Sequence, residues 1–435
     1  MDGILYSNIF ELIFKNTIDP IILEKLKRVH IHWKNSIDKI LETTDKWKSA
    51  CLNEIASEPI SGMITRLYPT LSFDDYHELD DFKVWRTVYI SYRKWMILSK
   101  LRVSVEFVYS SAGTSYFPEE IRNFASCDKY FAVGTNRLKI YVFGFNQSNK
   151  PMYSENFDNY IKDIRFWYPG TGDVFLVVID KLYYIQFFNV CNNMTEVPCI
   201  NVEEPEATIL CTGTINTLFT MNGWNLVQYK YNTENDLMQY TTGRLSGDCV
   251  KLFSEKNKLI HLTSNGYSLT LQNYQIPTSD EKKNILPEKS VQILRPRLAP
   301  FEFRNPSLDF LTSNVILQKS TEEYSCLIID DHQTDWHIHY PFQKFGSENL
   351  VTSGVLHGKI LILGFKTGHV RIFTVENIEQ LKNSELDLYS GIEYLVDNEP
   401  IQWLQVAEAQ EKLIIIAITY VKIYFINFTS ENSIE

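Results

Sequence analysis

Seven segments of the chain repeat one pattern, and this repetition limits the possible folds more than any other feature. Each segment has an apolar strand, a short turn that contains Gly, Asn, Asp or Lys, and a second strand in which apolar and polar residues alternate. Such a pattern predicts a β-hairpin. The segments span residues 129–145, 173–190, 216–231, 258–274, 314–330, 359–375 and 412–428.

The spacing of the hairpins indicates how they assemble. The first four recur about every 40–45 residues, the period of a four-stranded propeller blade, and longer later intervals indicate loop insertions such as residues 277–290. Seven units predict a seven-bladed β-propeller over residues 105–435, in which each sheet packs both faces against its neighbours. Closing the ring requires the first and last blades to share strands. Residues 103–111 are therefore expected to pair with residues 423–428.

The sixth hairpin gives the propeller a family resemblance. Residues 364–373, GFKTGHVRIF, resemble the run of a WD repeat that contains Asp-Gly and ends in Trp, with Thr367 in place of the Asp and Phe373 in place of the Trp. No Gly-His or Trp-Asp dipeptide recurs along the chain, so the hydrogen-bond set that ties ordinary WD blades is not expected. The resemblance implies a degenerate WD-like propeller, held mainly by aliphatic and aromatic packing.

The N-terminal stretch, residues 5–51, has a helical rather than a strand period. Asp19-Pro20 is typical of a helix start, since Asp caps free N–H groups and Pro suits the first helical position. Beyond it, Leu23, Leu26, Val29 and Trp33 recur at spacings of three to four residues. One interpretation is a small helical domain whose apolar residues all face inward. About 50 residues cannot bury so many large side chains alone, so some are expected to contact a partner or the rest of the chain.

This spacing resembles the F-box, the helical module that docks a substrate receptor onto the Skp adaptor of a cullin–RING ubiquitin ligase. The closing Trp47 and Cys51 fit the family, whereas Leu5 is followed by Tyr6 and not by the usual Pro. The resemblance implies a Skp-type adaptor, and through it cullin and RING subunits, as partners. It assigns adaptor contact to Leu5, Ile9, Leu12, Ile13, Phe14, Pro20, Leu23, Leu26, Val29 and Trp33.

A connecting segment lies between the two regions. Residues 60–82 are acidic and rich in turn formers, which predicts a loop, and residues 82–100 carry aromatic residues at helical spacing, which predicts an amphipathic helix. The string WRTVYISYRKW is similar to the segment that joins F-box to propeller in F-box/WD-repeat proteins. The fold class is therefore multidomain, α then all-β: an F-box-like module at 1–52, a linker with a helix at 53–104 and a WD-like propeller at 105–435.

Composition excludes several functional classes. The net charge is −11, with +1 on residues 1–104 and −12 on the remainder, which disfavours nucleic-acid binding. The seven cysteines form no CxxC pair, which argues against structural zinc and for a reducing compartment, and no basic segment leads into an apolar run at the N-terminus. The apolar run at 413–428 contains Lys422 and is short for a membrane span. We expect a cytoplasmic or nuclear protein without membrane insertion.

No catalytic constellation is found. The motifs HExxH, GxSxG, GxGxxG and the P-loop are absent, and carboxylate pairs such as Glu203-Glu204 lie in predicted loops. The segment 330–339, DDHQTDWHIH, is the best metal candidate, but it meets no fixed ligand spacing, and alternating polar residues on an exposed strand need no metal. We expect no enzyme activity, cofactor or metal.

Four arginines are candidates for target binding. Arg295, Arg297 and Arg304 cluster in a proline-containing segment, and Arg244 would join them if it projects from the same surface. A guanidinium pairs well with phosphate or carboxylate oxygens, so this set is suited to an acidic or phosphorylated peptide. The alternative is that they are solvated loop residues.

Two functions remain open. The first is a substrate-recognition subunit of a Skp–cullin–F-box ubiquitin ligase, whose propeller binds a protein for ubiquitination and degradation. The second is a non-ligase β-propeller scaffold for protein–protein interaction, whose N-terminal helices dock another partner or cap the ring; Tyr6 favours this alternative.

Overall fold

The computed structural model describes most of the chain. The described residues are 10, 12–55, 57–71, 76–111, 113–114, 117–146, 150–203, 205–212, 217–232, 236–245, 247–255, 258–264, 268–275, 283–284, 287, 289–294, 308–312, 314–319, 325–330, 336–346, 349–383, 386–409 and 412–429.

The described residues up to position 100 are mostly in short helices. A helical turn at residues 12–16 precedes α1, whose Asp19 cap accepts a hydrogen bond from the Ile21 backbone N–H at 2.8 Å and whose first residue is Pro20. The predicted helix start at Asp19-Pro20 is therefore confirmed. The helices are α1 (Pro20–Leu26), α2 (Ile31–Thr43), α3 (Lys46–Glu54), α4 (Ser57–Leu67) and α5 (Phe82–Met96), with 3₁₀ turns at Tyr76–Glu78 and Leu98–Lys100.

The amphipathic helix predicted at 82–100 is confirmed as α5 and its following 3₁₀ turn, whereas the loop predicted at 60–82 is wrong over its first part. Residues 60–67 belong to α4. Ile60, Met63 and Ile64 share one face of this helix and are at most 1% exposed, so tertiary burial outweighs the acidic, turn-rich composition that follows them. Pro59 is tolerated because it lies in the first turn, where its missing N–H has no helical partner.

The helices share one hydrophobic core. It joins residues of the N-terminal turn to residues of α5, with Trp47 and Trp85 each 1% exposed and Tyr89 fully buried. The rings of Trp47 and Tyr89 pack edge to face at 6.0 Å. Residues 12–96 therefore fold as one helical unit in which α5 is part of the core. We call this unit the helical module.

The β region begins with β1 (Arg102–Ser110) and a small hairpin of β2 (Gly113–Thr114) and β3 (Phe117–Pro118). Blade 1 contains β4 (Ile121–Ser126), β5 (Tyr130–Thr135), β6 (Lys139–Gly144) and β7 (Tyr153–Asn156). Blade 2 contains β8 (Ile161–Trp167), β9 (Phe175–Asp180), β10 (Ile185–Asn189) and β11 (Thr195–Glu196). Blade 3 contains β12 (Ile209–Thr212), β13 (Thr217–Asn222), β14 (Asn225–Tyr231) and β15 (Leu237–Arg244).

Blade 4 contains β16 (Cys249–Glu255), β17 (Lys258–Ser264), β18 (Ser268–Gln275) and β20 (Lys289–Leu294), while β19 (Lys283–Asn284) pairs in parallel with β15 of blade 3. Blade 5 contains β21 (Leu308–Thr312), β22 (Val315–Gln318), β23 (Cys326–Asp330) and β24 (Trp336–His339). Blade 6 contains β25 (Val351–His357), β26 (Ile360–Phe365), β27 (His369–Thr374) and β28 (Ile392–Leu395), with 3₁₀ turns at Gln343–Phe345 and Leu388–Ser390 and α6 (Ile378–Asn383) beside it. Blade 7 contains β29 (Trp403–Ala409), β30 (Lys412–Ile418), β31 (Lys422–Thr429) and β1.

These seven sheets confirm the seven-bladed β-propeller in the part of the chain that the structure describes. Each of the seven predicted hairpins supplies the second and third strands of one blade, including residues 412–428, whose apolar run is β30 and β31. The first strand of each blade is innermost, since the first strands of several neighbouring blades contact each other. No helix among the described residues is long and apolar enough to cross a membrane.

The predicted ring closure is also confirmed. β1 pairs antiparallel with β31, so that Val103 lies opposite Phe428 and Val105 opposite Ile426. The propeller therefore begins at Arg102, slightly before the predicted boundary at residue 105. The last blade is completed by a strand that precedes the first.

Packing between blades is aliphatic and aromatic, as the WD-like pattern predicts. Within blade 1 the rings of Phe131 and Phe143 stack at 4.8 Å, and Phe425 of blade 7 packs edge to face on Phe131 at 5.6 Å. In the WD-like hairpin, Gly368 has a φ of 79°, and a Cβ there would lie 1.9 Å from the Asp397 carbonyl oxygen. Only glycine fits this turn.

The helical module docks on the end of the propeller that carries the turns between first and second strands. At this joint the Arg66 guanidinium of α4 donates to the Leu356 carbonyl at 3.2 Å and to His357 Nδ1. From α5, Trp95 Nε1 donates to Glu408 Oε1 at 2.9 Å, and Ser91 donates to the same oxygen. The joint is therefore polar at its centre.

Burial sets the protonation of this joint. His357 is 2% exposed, and burial together with the Arg66 charge holds its pKa well below its ordinary value of 6.5. Burial lowers the pKa of Arg66 to about 10, partly opposed by Glu408, so the guanidinium is charged at neutral pH. A neutral imidazole can accept a hydrogen bond from Arg66 at Nδ1, whereas a protonated imidazole cannot.

We expect the stability of the protein to fall with acidification through His357. Because the folded pKa lies below 6.5, the unfolded chain binds a proton that the folded chain does not, and stability decreases by about 1.4 kcal/mol per pH unit below about pH 6.5. Urea denaturation between pH 7.5 and 5.5 measures this slope. In His357→Gln the slope of unfolding free energy against pH should be smaller by that amount. The buried His261 has a lowered pKa as well, so His261→Gln should also flatten the slope. Equal slopes for wild type and His357→Gln would contradict the assignment.

Candidate partner-binding surfaces

The N-terminal part of the helical module exposes many large aliphatic side chains. They lie within twenty residues of sequence, from the helical turn through α1 to the first residue of α2. We call them the helical patch: Leu12 at 62% exposure, Ile13 at 50%, Ile18 at 84%, Ile22 at 48%, Val29 at 63% and Ile31 at 61%. Single exposed apolar residues are common, but such a concentration is typical of an interaction surface.

The predicted adaptor residues divide between this patch and the core. Leu12, Ile13 and Val29 are exposed, Leu26 and Trp33 are half-buried, and Phe14, Pro20 and Leu23 lie in the core rather than on the surface. Leu5 and Ile9 lie outside the described residues. The Trp33 ring packs 4.9 Å from Phe10 and 5.6 Å from Phe14, which fixes it in the module.

Sequence reasoning missed Ile18, Ile22 and Ile31. It gathered the apolar residues into one face with a three-to-four spacing, whereas the structure shows two faces. Leu23 is fully buried and its neighbour Ile22 is 48% exposed, so adjacent residues point in different directions around α1. The sequence did contain a signal for the exposed face: a second set of apolar residues, rotated by about a third of a helical turn from the buried set.

Positive charge borders the helical patch. Lys25, Arg28 and Lys34 are exposed and form no ion pair within the described part of the chain, whereas Lys27 is bound by Glu24 at 2.9 Å and by Asp38. The rim of the patch is therefore basic. Such a rim suits a partner whose surface is apolar at its centre and acidic at its border.

A second surface lies at the opposite end of the propeller. This end carries the turns between second and third strands, and we call it the turn face. Arg244, a predicted target-binding residue, is exposed here, and its guanidinium lies 4.9 Å from the centre of the Trp224 ring. The other three arginines of that prediction, Arg295, Arg297 and Arg304, lie outside the described residues.

The pairing of a cation with an aromatic ring recurs on the turn face. The separations between cation and ring centre are 4.3 Å for Lys162 and Tyr183, 5.6 Å for Lys181 and Tyr160, and 5.9 Å for Arg122 and Tyr420. Tyr160, Tyr183 and Trp224 are each 45–56% exposed. Lys162, Lys181 and Arg244 form no ion pair among the described residues, so their N–H groups are available to a ligand.

The turn that presents Tyr183 is strained. Its φ is 74°, a conformation that an aromatic residue rarely adopts, and Asp180 holds the turn by accepting hydrogen bonds from the backbone of Leu182 at 2.8 Å and of Tyr184 at 3.0 Å. The buried Asp180 is itself bound by Asn159 at 2.8 Å. Strain that is held in place in this way is characteristic of binding sites.

The central channel lies between the two surfaces. A cavity of about 810 Å³ is lined by first strands and bounded by α4, Pro69 and Leu71 at the helical end. Its charged lining is mixed: Lys251 lies 3.7 Å from Asp309, and burial lowers the pKa of this lysine. No group of three or more His, Cys, Asp and Glu in the described part of the chain could hold a metal ion; Asp331, His332 and Asp335 of the metal candidate lie outside it.

Comparison with known proteins gives likeness of fold only. No protein-family model matches the chain, and no curated protein matches it. A chain from "Crystal Structure of Mitotic Checkpoint Complex" is similar over 75% of this chain and 94% of its own length, at 10% identity and a TM-score of 0.47. The computationally designed protein Ika8 is similar over 74% of this chain and 99% of its own length, at 11% identity and a TM-score of 0.43.

The propeller itself follows from the strand pairing of this chain. Its fold and its exposed surfaces suggest a protein that acts through protein–protein interaction.

Core and patch residues of the module should respond differently to truncation. Leu23→Ala removes fully buried methyl groups and should lower the free energy of unfolding by about 2–5 kcal/mol, whereas Val29→Ala should change it by less than about 0.5 kcal/mol. Urea denaturation followed by tryptophan fluorescence measures both. An equal effect of the two substitutions would contradict the division into core and patch.

Proposed function

We propose that the chain is a non-catalytic substrate-recognition subunit of a Skp–cullin–F-box ubiquitin ligase. The helical module binds the Skp-type adaptor, and the propeller binds a protein target for ubiquitination and degradation. The resemblance of residues 5–51 to an F-box supports the first part, and the propeller fold supports the second. A subunit of this kind works in the cytoplasm or nucleus.

The observation that carries the proposal is the exposure of the helical patch. Six aliphatic residues at 48–84% exposure lie in the segment where the resemblance assigns adaptor contact, and three of them, Leu12, Ile13 and Val29, are among the residues that it assigns. Burying such residues against a partner is favourable in proportion to the apolar area removed from water. The basic rim adds a preference for an acidic partner.

The position of the patch supports a receptor role. The helical module is fixed to one end of the propeller by Arg66 and Glu408, and the turn face lies at the other end. An adaptor on the module and a target on the turn face would be held at a constant separation. The chain then contributes to ubiquitin transfer by positioning, and another subunit supplies the reactive groups.

The turn face also indicates what kind of target it fits. Lysine and arginine stacked on exposed rings keep their N–H groups free for carboxylate or phosphate oxygens, while the rings accept apolar side chains. We assign target binding to Arg244 on this basis. Arg295, Arg297 and Arg304 remain predictions of the same kind.

The non-ligase scaffold remains the second candidate, and one observation favours it. The helical module closes one end of the channel and buries Trp95 and Met63 against the propeller, so its helices have a capping role even without an adaptor. The two candidates differ in solution behaviour. A scaffold would be a well-behaved protein alone, whereas an adaptor-dependent subunit would require its adaptor for solubility.

Co-expression with the Skp adaptor followed by size-exclusion chromatography tests the proposal. We expect a stable complex that contains chain and adaptor in equal numbers and that also retains cullin. Ile13→Asp and Val29→Asp should each weaken adaptor binding on the order of 100-fold, because a carboxylate would be buried without a partner. Trp33→Ala is unsuitable, since this ring packs inside the module.

Ile200→Asp is the matched control, because Ile200 is 57% exposed but lies on the propeller. It should bind the adaptor as wild type does. A wild-type chain that elutes without the adaptor would refute the ligase role. So would retention of wild-type affinity by both patch variants.

A charge reversal on the turn face separates target binding from adaptor binding. In cells, proteins that accumulate when the chain is deleted should accumulate to the same extent with Arg244→Glu, while adaptor binding is unchanged. Quantitative proteomics measures the first effect and co-precipitation the second. Lys129→Glu, an exposed charge reversal at the helical end of blade 1, is the control and should behave as wild type. Normal turnover in Arg244→Glu would remove this residue from the target site.

A further inference from the structure

The strand that closes the ring leaves an open edge. β1 is the outermost strand of blade 7, and among the described residues it pairs only with β31. It has nine residues, whereas the outermost strands of the other blades have two to eight. The eight-residue β15 is partly covered, because β19 pairs along its outer side. An uncovered outer strand presents backbone groups that another strand can use.

The first half of β1 is exposed on both faces. Arg102, Ser104 and Glu106 are exposed on one face, and on the other Val105 is 43% exposed and Phe107 is 58% exposed. Val103, at the start of the apolar face, is half-buried against the core of blades 6 and 7. Burial resumes at Val108, after which the pairing with β31 shifts register.

The sequence of this half complements itself. If two copies of residues 102–106 run antiparallel with Ser104 opposite Ser104, Arg102 of each copy lies opposite Glu106 of the other, and Val103 lies opposite Val105. Opposite charges and branched apolar residues are favourable cross-strand neighbours. Neither Arg102 nor Glu106 forms an ion pair within the described part of the chain, so both are available.

We infer that the chain forms a twofold homodimer through antiparallel pairing of β1 with β1 of a second copy, centred on Ser104. Blade 7 of one copy and blade 7 of the other then form one continuous sheet. Its polar face carries two Arg–Glu pairs, and its apolar face carries Val103, Val105 and Phe107 from both copies. The charge pattern selects a second copy as the occupant, because each chain supplies both halves of the complement.

Sedimentation velocity and light scattering of the purified full chain test the dimer, with or without a bound adaptor. The wild-type chain should be dimeric in a concentration-dependent way. Glu106→Arg places arginine opposite arginine twice and Arg102→Glu places glutamate opposite glutamate twice, so each should raise the dimer dissociation constant by about tenfold. Both side chains are exposed, so the thermal unfolding midpoint should not change at concentrations at which wild type and variants are monomeric.

Two further measurements identify this edge specifically. The double variant Arg102→Glu with Glu106→Arg exchanges the charges and should restore the dimer. In a mixture of the two single variants, arginine of one lies opposite glutamate of the other at both pairs. The mixture should therefore form a heterodimer that is tighter than either homodimer. A wild-type chain that remains monomeric at every concentration would overturn the inference, and so would single variants that dimerise as wild type does. The outcome is independent of whether the chain binds an adaptor.

Discussion

Pairing of β1 with β31 is the interaction on which the rest of the structure depends. It converts seven sheets in sequence into a closed ring, because the last blade receives its fourth strand from residues that precede the first blade. It also fixes the helical module, since only residues 97–101 separate α5 from β1. With so short a connection, α5 must lie beside blade 7, where Trp95 and Ser91 contact Glu408.

The joint combines this covalent constraint with buried polar contacts. Arg66 contacts blade 6 and Ser91 contacts blade 7, so the module spans two neighbouring blades rather than resting on one. Buried hydrogen bonds to charged groups are costly to break when one partner is left unpaired. The module and the ring are therefore expected to move as one body, and this rigidity is what a receptor role requires.

Much of the fold could be predicted from the sequence, because its signals are local and repeated. A hairpin needs a period of two and a turn, and both are visible in each of the seven segments. Ring closure followed from the need to leave no blade incomplete. The helix at 57–67 could not be predicted from composition, since Ile60, Met63 and Ile64 are helical because of the core that they enter.

The candidate surfaces were harder to predict. The stretch at 12–33 indicated adaptor contact, but apolar spacing alone cannot distinguish Leu23 in the core from Ile22 on the surface. On the turn face, Arg244 was identified by its charge. Its partner Trp224 is twenty residues away in sequence. Lys162 meets Tyr183 only because a strained turn holds the tyrosine in place. These depend on tertiary geometry, which a single sequence does not display.

Closure by a distant strand has a consequence for synthesis. Arg102 pairs with Thr429, so β1 has no partner until nearly the whole propeller has left the ribosome. During that time Val103 and Val105 remain uncovered beside a helical module that lacks its docking site. Contacts so distant in sequence form slowly, and unpaired apolar strands are prone to aggregation while they wait. The nascent chain therefore has a long interval in which a chaperone or an early-binding partner would protect it.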